Sequence, residues 1–209
     1  MPLADYLRPL PFCAVLRGIS PAEVPAIADA LLAEGFRILE VPLNSPQPFE
    51  SIRLLARRCG GSVLVGAGTV VDPADAARVR DAGGSLVVMP HADLAVVRAA
   101  KQLGLTCMPG VATPTEAFAA LAAGADALKM FPAEALPPAA LRAWRAVLPR
   151  EALVLAVGGM KPDTLAPYWA AGANGFGTGS NLYAPGADAA RVRVAAAAYA
   201  AAFHALPPH

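Results

Sequence analysis

The sequence predicts an α/β protein: a single (β/α)8 TIM barrel with a short N-terminal helix, spanning residues 1–209. Three observations carry that expectation. Eight short, apolar, β-prone runs start at residues 13, 37, 64, 85, 106, 127, 154 and 175, so successive starts lie 21 to 27 residues apart. The segments between them are alanine-rich at helical spacing, and several open on Ser-Pro, Asp-Pro or Thr-Pro and close on Gly. That is the pattern of an N-cap, a proline in the first turn and a left-handed terminator. Finally, the runs are almost continuously hydrophobic, as strands buried on both faces of a parallel sheet must be. An open doubly wound sheet would share the alternation, but no GxGxxG follows the first run and eight near-equal units suit closure.

The elements follow in order. Residues 1–11 predict a helix closing the bottom of the barrel. CAVLRG (13–18) is the first strand, and SPAEVPAIADALLAEG (20–35) is a helix capped by Ser20. RILEVPL (37–43) precedes SPQPFESIRLLARRCG (45–60), a second helix opened by Ser-Pro. LVGAGTV (64–70) leads into DPADAARVRDAGG (72–84), and SLVVMP (85–90) is the fourth strand. TCMPGV (106–111) is the fifth, followed by TPTEAFAALAAGA (113–125). ALKMFP (127–132), VLAVGGM (154–160) and GFGTGS (175–180) complete the set, with AAAAYAAAF (195–203) as closely packed terminal helix.

Composition excludes several classes. Hydrophobic residues make up 56% and charged residues 16%, which argues for a well-buried globule and against disorder. A net charge of +1 leaves no footprint for nucleic acid or an anionic membrane. Cys13, Cys59 and Cys107 are odd in number and form no Cys-x-x-Cys or Cys/His cluster, so they read as reduced, buried thiols. No metal and no other cofactor is expected. MPLADYLRPLPF lacks the basic start and long apolar core of a signal peptide, and no run reaches membrane-spanning length. The expectation is a soluble cytoplasmic protein without nucleic-acid or membrane partners.

The polar residues within strands carry the chemistry. Lys129 interrupts an apolar strand, and a buried amine escapes its desolvation cost by becoming neutral. A neutral amine is a nucleophile that forms a Schiff base with a carbonyl compound. Side chains alternate along a strand, so Ile38, Glu40 and Pro42 share one face while Leu39, Val41 and Leu43 share the helix-facing one. The same parity turns Ala127, Lys129 and Phe131 inward and Leu128 and Met130 outward. Arg17 ends the first run, Thr69 the third and Pro90 the fourth. A carboxylate, an amine and a guanidinium thus converge at the C-terminal mouth, where such barrels hold their sites. A structural ion pair between Glu40 and Lys129 is the competing reading. Gly158 and Gly159 after the seventh run, with Gly179 and Ser180 after the eighth, expose amides suited to a phosphate. His91 and His204 read as surface or structural, and His209 as part of a disordered end.

VLRG (15–18), LEVPLNSP (39–46), VGAGTV (65–70), MPGVATPTEA (108–117), ALKMFPAE (127–134), AVGGM (156–160) and GTGSNLY (177–183) together resemble the class I aldolases of 2-keto-3-deoxy-6-phosphosugar acids, over nearly the whole chain. The resemblance implies a Schiff-base lysine at Lys129, a proton shuttle at Glu40, and substrate contacts at Arg17, Thr69, Gly158, Gly159, Gly179 and Ser180, with Pro90 and Phe131 beside them. It implies a homotrimer that binds a phosphorylated keto-deoxy sugar acid and releases pyruvate. Asn44 stands where the phosphogluconate branch carries arginine, and Val157 where that branch favours a hydroxyl-bearing residue. Both resemble the phosphogalactonate branch, so cleavage of 2-dehydro-3-deoxy-6-phosphogalactonate is expected, with the gluconate epimer or 4-hydroxy-2-oxoglutarate as the alternative. Two rivals from other classes remain: a phosphate-barrel isomerase or synthase using Glu40 as base, and a silent sugar-phosphate sensor.

Overall fold

A computed structural model describes residues 1–208; His209, assigned above to a disordered end, lies outside the described residues. The strands are β1 (Phe12–Val15), β2 (Ile38–Pro42), β3 (Leu64–Gly68), β4 (Leu86–Val88), β5 (Thr106–Met108), β6 (Gly110–Val111), β7 (Leu128–Met130), β8 (Val154–Val157) and β9 (Gly175–Thr178). They form one sheet in the order β5-β4-β3-β2-β1-β9-β8-β7-β6, and every pairing is parallel.

Eight staves were expected and nine strands are found among the described residues, because the fifth run is split. Pro109 has no N–H to give to a ladder, so the run breaks there. Its first half pairs with β4 and its second with β7. The two ends of the sheet order are therefore neighbours in the chain, and the bend at Pro109 closes the barrel.

The helices are α1 (Leu3–Leu7), α2 (Val24–Ala33), α3 (Pro48–Cys59), α4 (Pro73–Asp81), α5 (Leu94–Gln102), α6 (Pro114–Ala122), α7 (Pro138–Arg145), α8 (Leu165–Ala170) and α9 (Ala189–His204). Where the sequence reads Asp-Pro or Thr-Pro the cap forms as expected. Asp72 accepts from the Ala74 N–H, and Thr113 and Glu116 build a reciprocal capping box. The two Ser-Pro openings behave differently. α2 starts at Val24 and α3 at Pro48, so Ser20 and Ser45 lie ahead of their helices and cap neither. Both serines bond elsewhere: the Ser20 hydroxyl donates to Glu23 just ahead of α2 (2.6 Å), and Ser45 Oγ accepts from the Gly18 N–H of another loop (2.9 Å).

The strand faces divide as parity requires. Leu39, Val41, Val65, Ala67, Leu128, Met130, Ala156 and Phe176 pack outward against the helices. Phe12 anchors that layer, with ring centroids of Phe36, Phe176 and Tyr199 at 5.6, 5.6 and 5.5 Å. Ile38, Leu64, Leu86, Ala127 and Leu155 fill the lower barrel, and Leu3, Tyr6 and Leu7 of α1 join them from below. The N-terminal helix is shorter than the segment read from sequence but sits where expected, as a plug. No helix among the described residues is long and apolar enough to cross a membrane.

Candidate active site

One step of two residues above the apolar plug, the inward positions change character. Glu40 follows Ile38 on β2, Lys129 in the middle of β7 follows Ala127 just before that strand, and Gly177 follows Gly175 on β9. Glu40 is 2% exposed and Lys129 7%. Glu40 fits because β3 carries glycine where its carboxylate lies: a Cβ on Gly68 would stand 1.7 Å from Glu40 Oε2. That oxygen is buried and has no hydrogen-bond partner. The ion pairs found among the described residues do not include one between Glu40 and Lys129, which removes the main support for a purely structural pairing.

Burial dominates the titration of both groups. It lifts the Glu40 carboxyl to about 7, against the opposing attraction of Lys129 and Arg17. It also drives the Lys129 amine below the usual lysine range, opposed by the negative charge of Glu40 and helped slightly by Arg17. A carboxyl poised near neutrality and an amine with a depressed pKa are what proton shuttling and nucleophilic addition need. Lys129 Nζ lies over the Phe131 ring, 4.4 Å from its centroid.

Above this pair opens a cavity of about 540 Å³. Of the residues expected in the site, Arg17, Lys129, Phe131, Val157, Gly158, Gly159, Gly179 and Ser180 line it. Glu40 lies deeper, in a small hollow shared with Lys129, Val157, Cys13 and Gly177. Asn44 lies outside the cavity lining and holds Arg17 instead, its Oδ1 accepting from a guanidinium nitrogen at 2.7 Å. Thr69 and Pro90, at the ends of β3 and β4, are also outside the lining, because the cavity opens over β1, β9, β8 and β7. Thr69 does carry a left-handed backbone (φ 56°), a strained state for a β-branched residue of the kind that clusters at functional sites.

Val157 forms an apolar wall beside Lys129. Its methyls occupy the space above Gly177, where a Cβ would stand 2.7 Å from one of them. Gly158 (φ 111°) and Gly159 (φ 63°) need glycine for their backbone, and Glu134 packs over both of them.

Sequence reasoning missed several lining residues. Val15 and Cys13 share the inward face with Arg17, so parity on the first run was signal enough to find them. Cys13, Cys59 and Cys107 are free and buried, as read. Glu134 sits in a single 3-10 turn (Ala133–Ala135) and Asn181, Tyr183 and Pro185 in a loop, segments too short or irregular to show periodicity. His91 and His204 are exposed and line no part of the cavity.

The family profile described as KDPG and KHG aldolase matches residues 3–193. A probable 2-dehydro-3-deoxy-6-phosphogalactonate aldolase of Rhizobium meliloti (strain 1021) is 47% identical over 206 residues, covering 99% of this chain and 96% of that protein. The 2-dehydro-3-deoxy-6-phosphogalactonate aldolase of Escherichia coli (strain K12) is 44% identical, over 93% of this chain and 95% of its own. A solved structure described as native KDPGal superposes with a TM-score of 0.91 at 44% identity, over 93% of this chain and 95% of that one. With its barrel, its buried Lys129 and the match over most of its length, the chain belongs to the KDPG and KHG aldolase family.

Proposed function

We propose that this protein is a Schiff-base aldolase that cleaves 2-dehydro-3-deoxy-6-phosphogalactonate to pyruvate and D-glyceraldehyde 3-phosphate. The observation that carries the reading is Lys129, buried at the floor of a cavity with its pKa depressed and a carboxyl poised near 7 across the barrel. The names of the relatives supply the galactonate.

Neutral Lys129 adds to the 2-keto carbon, and loss of water gives a protonated imine. Glu40, as carboxylate, takes the proton from the carbon-4 hydroxyl. The bond between carbons 3 and 4 breaks, its electron pair moves toward the imine nitrogen, and the aldehyde leaves. The resulting enamine is protonated at carbon 3 and hydrolysed to pyruvate, which frees Lys129. In this reading Thr69 and neighbouring amides hold the carboxylate, and Gly158, Gly159, Gly179 and Ser180 hold the phosphate end. Arg17, steered by Asn44, adds positive charge for an anionic substrate. The working unit is a cytoplasmic homotrimer serving galactonate degradation.

Val157 gives the choice of epimer its physical basis. Its apolar wall offers no hydrogen bond to a hydroxyl, so discrimination at that wall amounts to about 1–3 kcal/mol. The test is kcat/KM for the galactonate and gluconate phosphates, measured side by side on wild type and Val157→Thr. Wild type should cleave both and favour the galactonate, and the variant should shift the ratio toward the gluconate. A wild type that prefers gluconate, or a ratio unmoved by the substitution, contradicts the epimer assignment.

A further inference from the structure

The wall of the cavity on the β9–β1 side is a loop, residues 179–188, that joins β9 to α9. Ser180, Asn181, Tyr183, Ala184 and Pro185 of this loop all face the cavity. It begins as a tight turn in which the Leu182 and Tyr183 N–H groups both donate to Gly179 O, at 2.8 and 2.9 Å. Past that turn its tie to the first βα unit is a carboxylate far away in sequence. Glu23 Oε1 accepts from the Tyr183 hydroxyl (2.8 Å) and the Gly186 N–H (2.9 Å). Glu23 Oε2 accepts from the Ser20 N–H (2.9 Å) and the Ser20 hydroxyl (2.6 Å).

Both oxygens are thus filled by four donors from two loops. Partial burial pushes the Glu23 carboxyl up, but the Ser20, Gly186 and Tyr183 donors outweigh it and hold it at about 2. The tie is therefore ionised at any pH near neutral. The Pro185 ring lies against Gly18, where a Cβ would stand 2.6 Å from Pro185 Cγ. The Gly18 N–H is itself fixed to Ser45 Oγ. Glu23 thereby joins the loop bearing Ser180 to the loop bearing Arg17, two loops that line the cavity.

We propose that Glu23 is a positioning residue for the phosphate end of the substrate: it lines no part of the cavity, and it sets the wall from Ser180 to Pro185 against Arg17. This rests on the aldolase reading above. A glutamine in its place keeps the shape but turns an NH₂ toward one of the two pairs of donors, so the backbone N–H of that pair, that of Ser20 or of Gly186, loses its acceptor.

The experiment compares two reactions of the same enzyme. Glu23→Gln should raise KM for the phosphorylated substrate about tenfold with a smaller change in kcat, the signature of lost binding rather than lost chemistry. Exchange of pyruvate methyl protons with D₂O, followed by NMR, needs no phosphate and should keep its KM for pyruvate within about twofold. Tyr183→Phe removes one of the four bonds and should move the KM for the phosphorylated substrate in the same direction by less. Added to Glu23→Gln it should do little more, because both act through one tie. An unchanged KM for the phosphorylated substrate in Glu23→Gln overturns the proposal. So does a parallel loss of pyruvate exchange, which would make Glu23 a support of the whole fold. A wild type that fails to exchange pyruvate protons instead brings down the aldolase reading itself.

Discussion

The lower and upper halves of the barrel interior are built on the same strands, two residues apart, and they do opposite things. Below, Ile38, Leu64, Ala127 and Leu155 meet Leu3, Tyr6 and Leu7 in a dry apolar plug. Above, the next inward positions are Glu40, Gly66, Lys129 and Val157. The lower half gains free energy by burying apolar surface. The upper half gives some of it back: it buries a carboxylate with an unpartnered oxygen and an amine whose charged form is disfavoured. Reactivity and stability are thus separated by one pleat of the sheet, and the plug below is what lets the site above hold strained electrostatics.

The largest effect should come from removing the amine. Lys129→Met should lower cleavage by more than about a thousandfold, since acid–base and binding effects alone leave at most that much. Its melting temperature should stay level or rise, because an apolar chain of similar length ends the desolvation cost. Residual cleavage above that level, or a marked fall in stability, would break the contrast between the halves.

Glu40→Gln keeps the shape and should slow cleavage about a hundredfold or more. In wild type, kcat/KM should fall as pH drops below about 7, where Glu40 gains its proton, and the variant should lose that limb. Stability should show the linkage with a definite sign. The folded pKa of Glu40 is raised above its unfolded value, so its contribution is fully favourable below about pH 4.3 and is lost as pH rises through about 7. Wild type should therefore lose stability relative to Glu40→Gln across that window. A wild-type profile flat through pH 7 would mean the upper half does not hold Glu40 dry.

Leu155→Ala probes the other half. It is fully buried in the plug, so truncation should cost about 2–5 kcal/mol of stability. Activity at a temperature where the variant is folded should change by less than about threefold, provided the sites are independent. A large loss of kcat in the folded variant would show that the plug tunes the chemistry as well as supporting it.

The contrast between the halves was legible in the sequence, since a period of two assigns Glu40 and Lys129 inward once Leu39, Val41, Leu128 and Met130 are turned toward the helices. Asp72 and Thr113 were legible as caps because each bonds within three residues along the chain. Ser20 and Ser45 looked the same and were not: Ser20 bonds Glu23, the residue just ahead of α2, and Ser45 bonds Gly18 of another loop. Glu23 and Tyr183 are 160 residues apart, and no local pattern marks such a pair. Pro109 stood within a run read as one strand, and only the pairing of β5 with β4 and of β6 with β7 shows that the run breaks there and closes the barrel. Strand interiors announce themselves by periodicity, whereas the loops that shape the cavity are defined by contacts.

The central claim is that Lys129 forms a covalent imine with a 2-keto acid. The direct measurement is borohydride reduction of the enzyme in the presence of pyruvate, followed by mass spectrometry of the intact chain and its peptides. The account predicts one reduced pyruvyl adduct per chain, on the peptide containing Lys129, and none in Lys129→Met. An enzyme that cleaves its substrate but gives no adduct, or one that carries the adduct on another lysine, would contradict it.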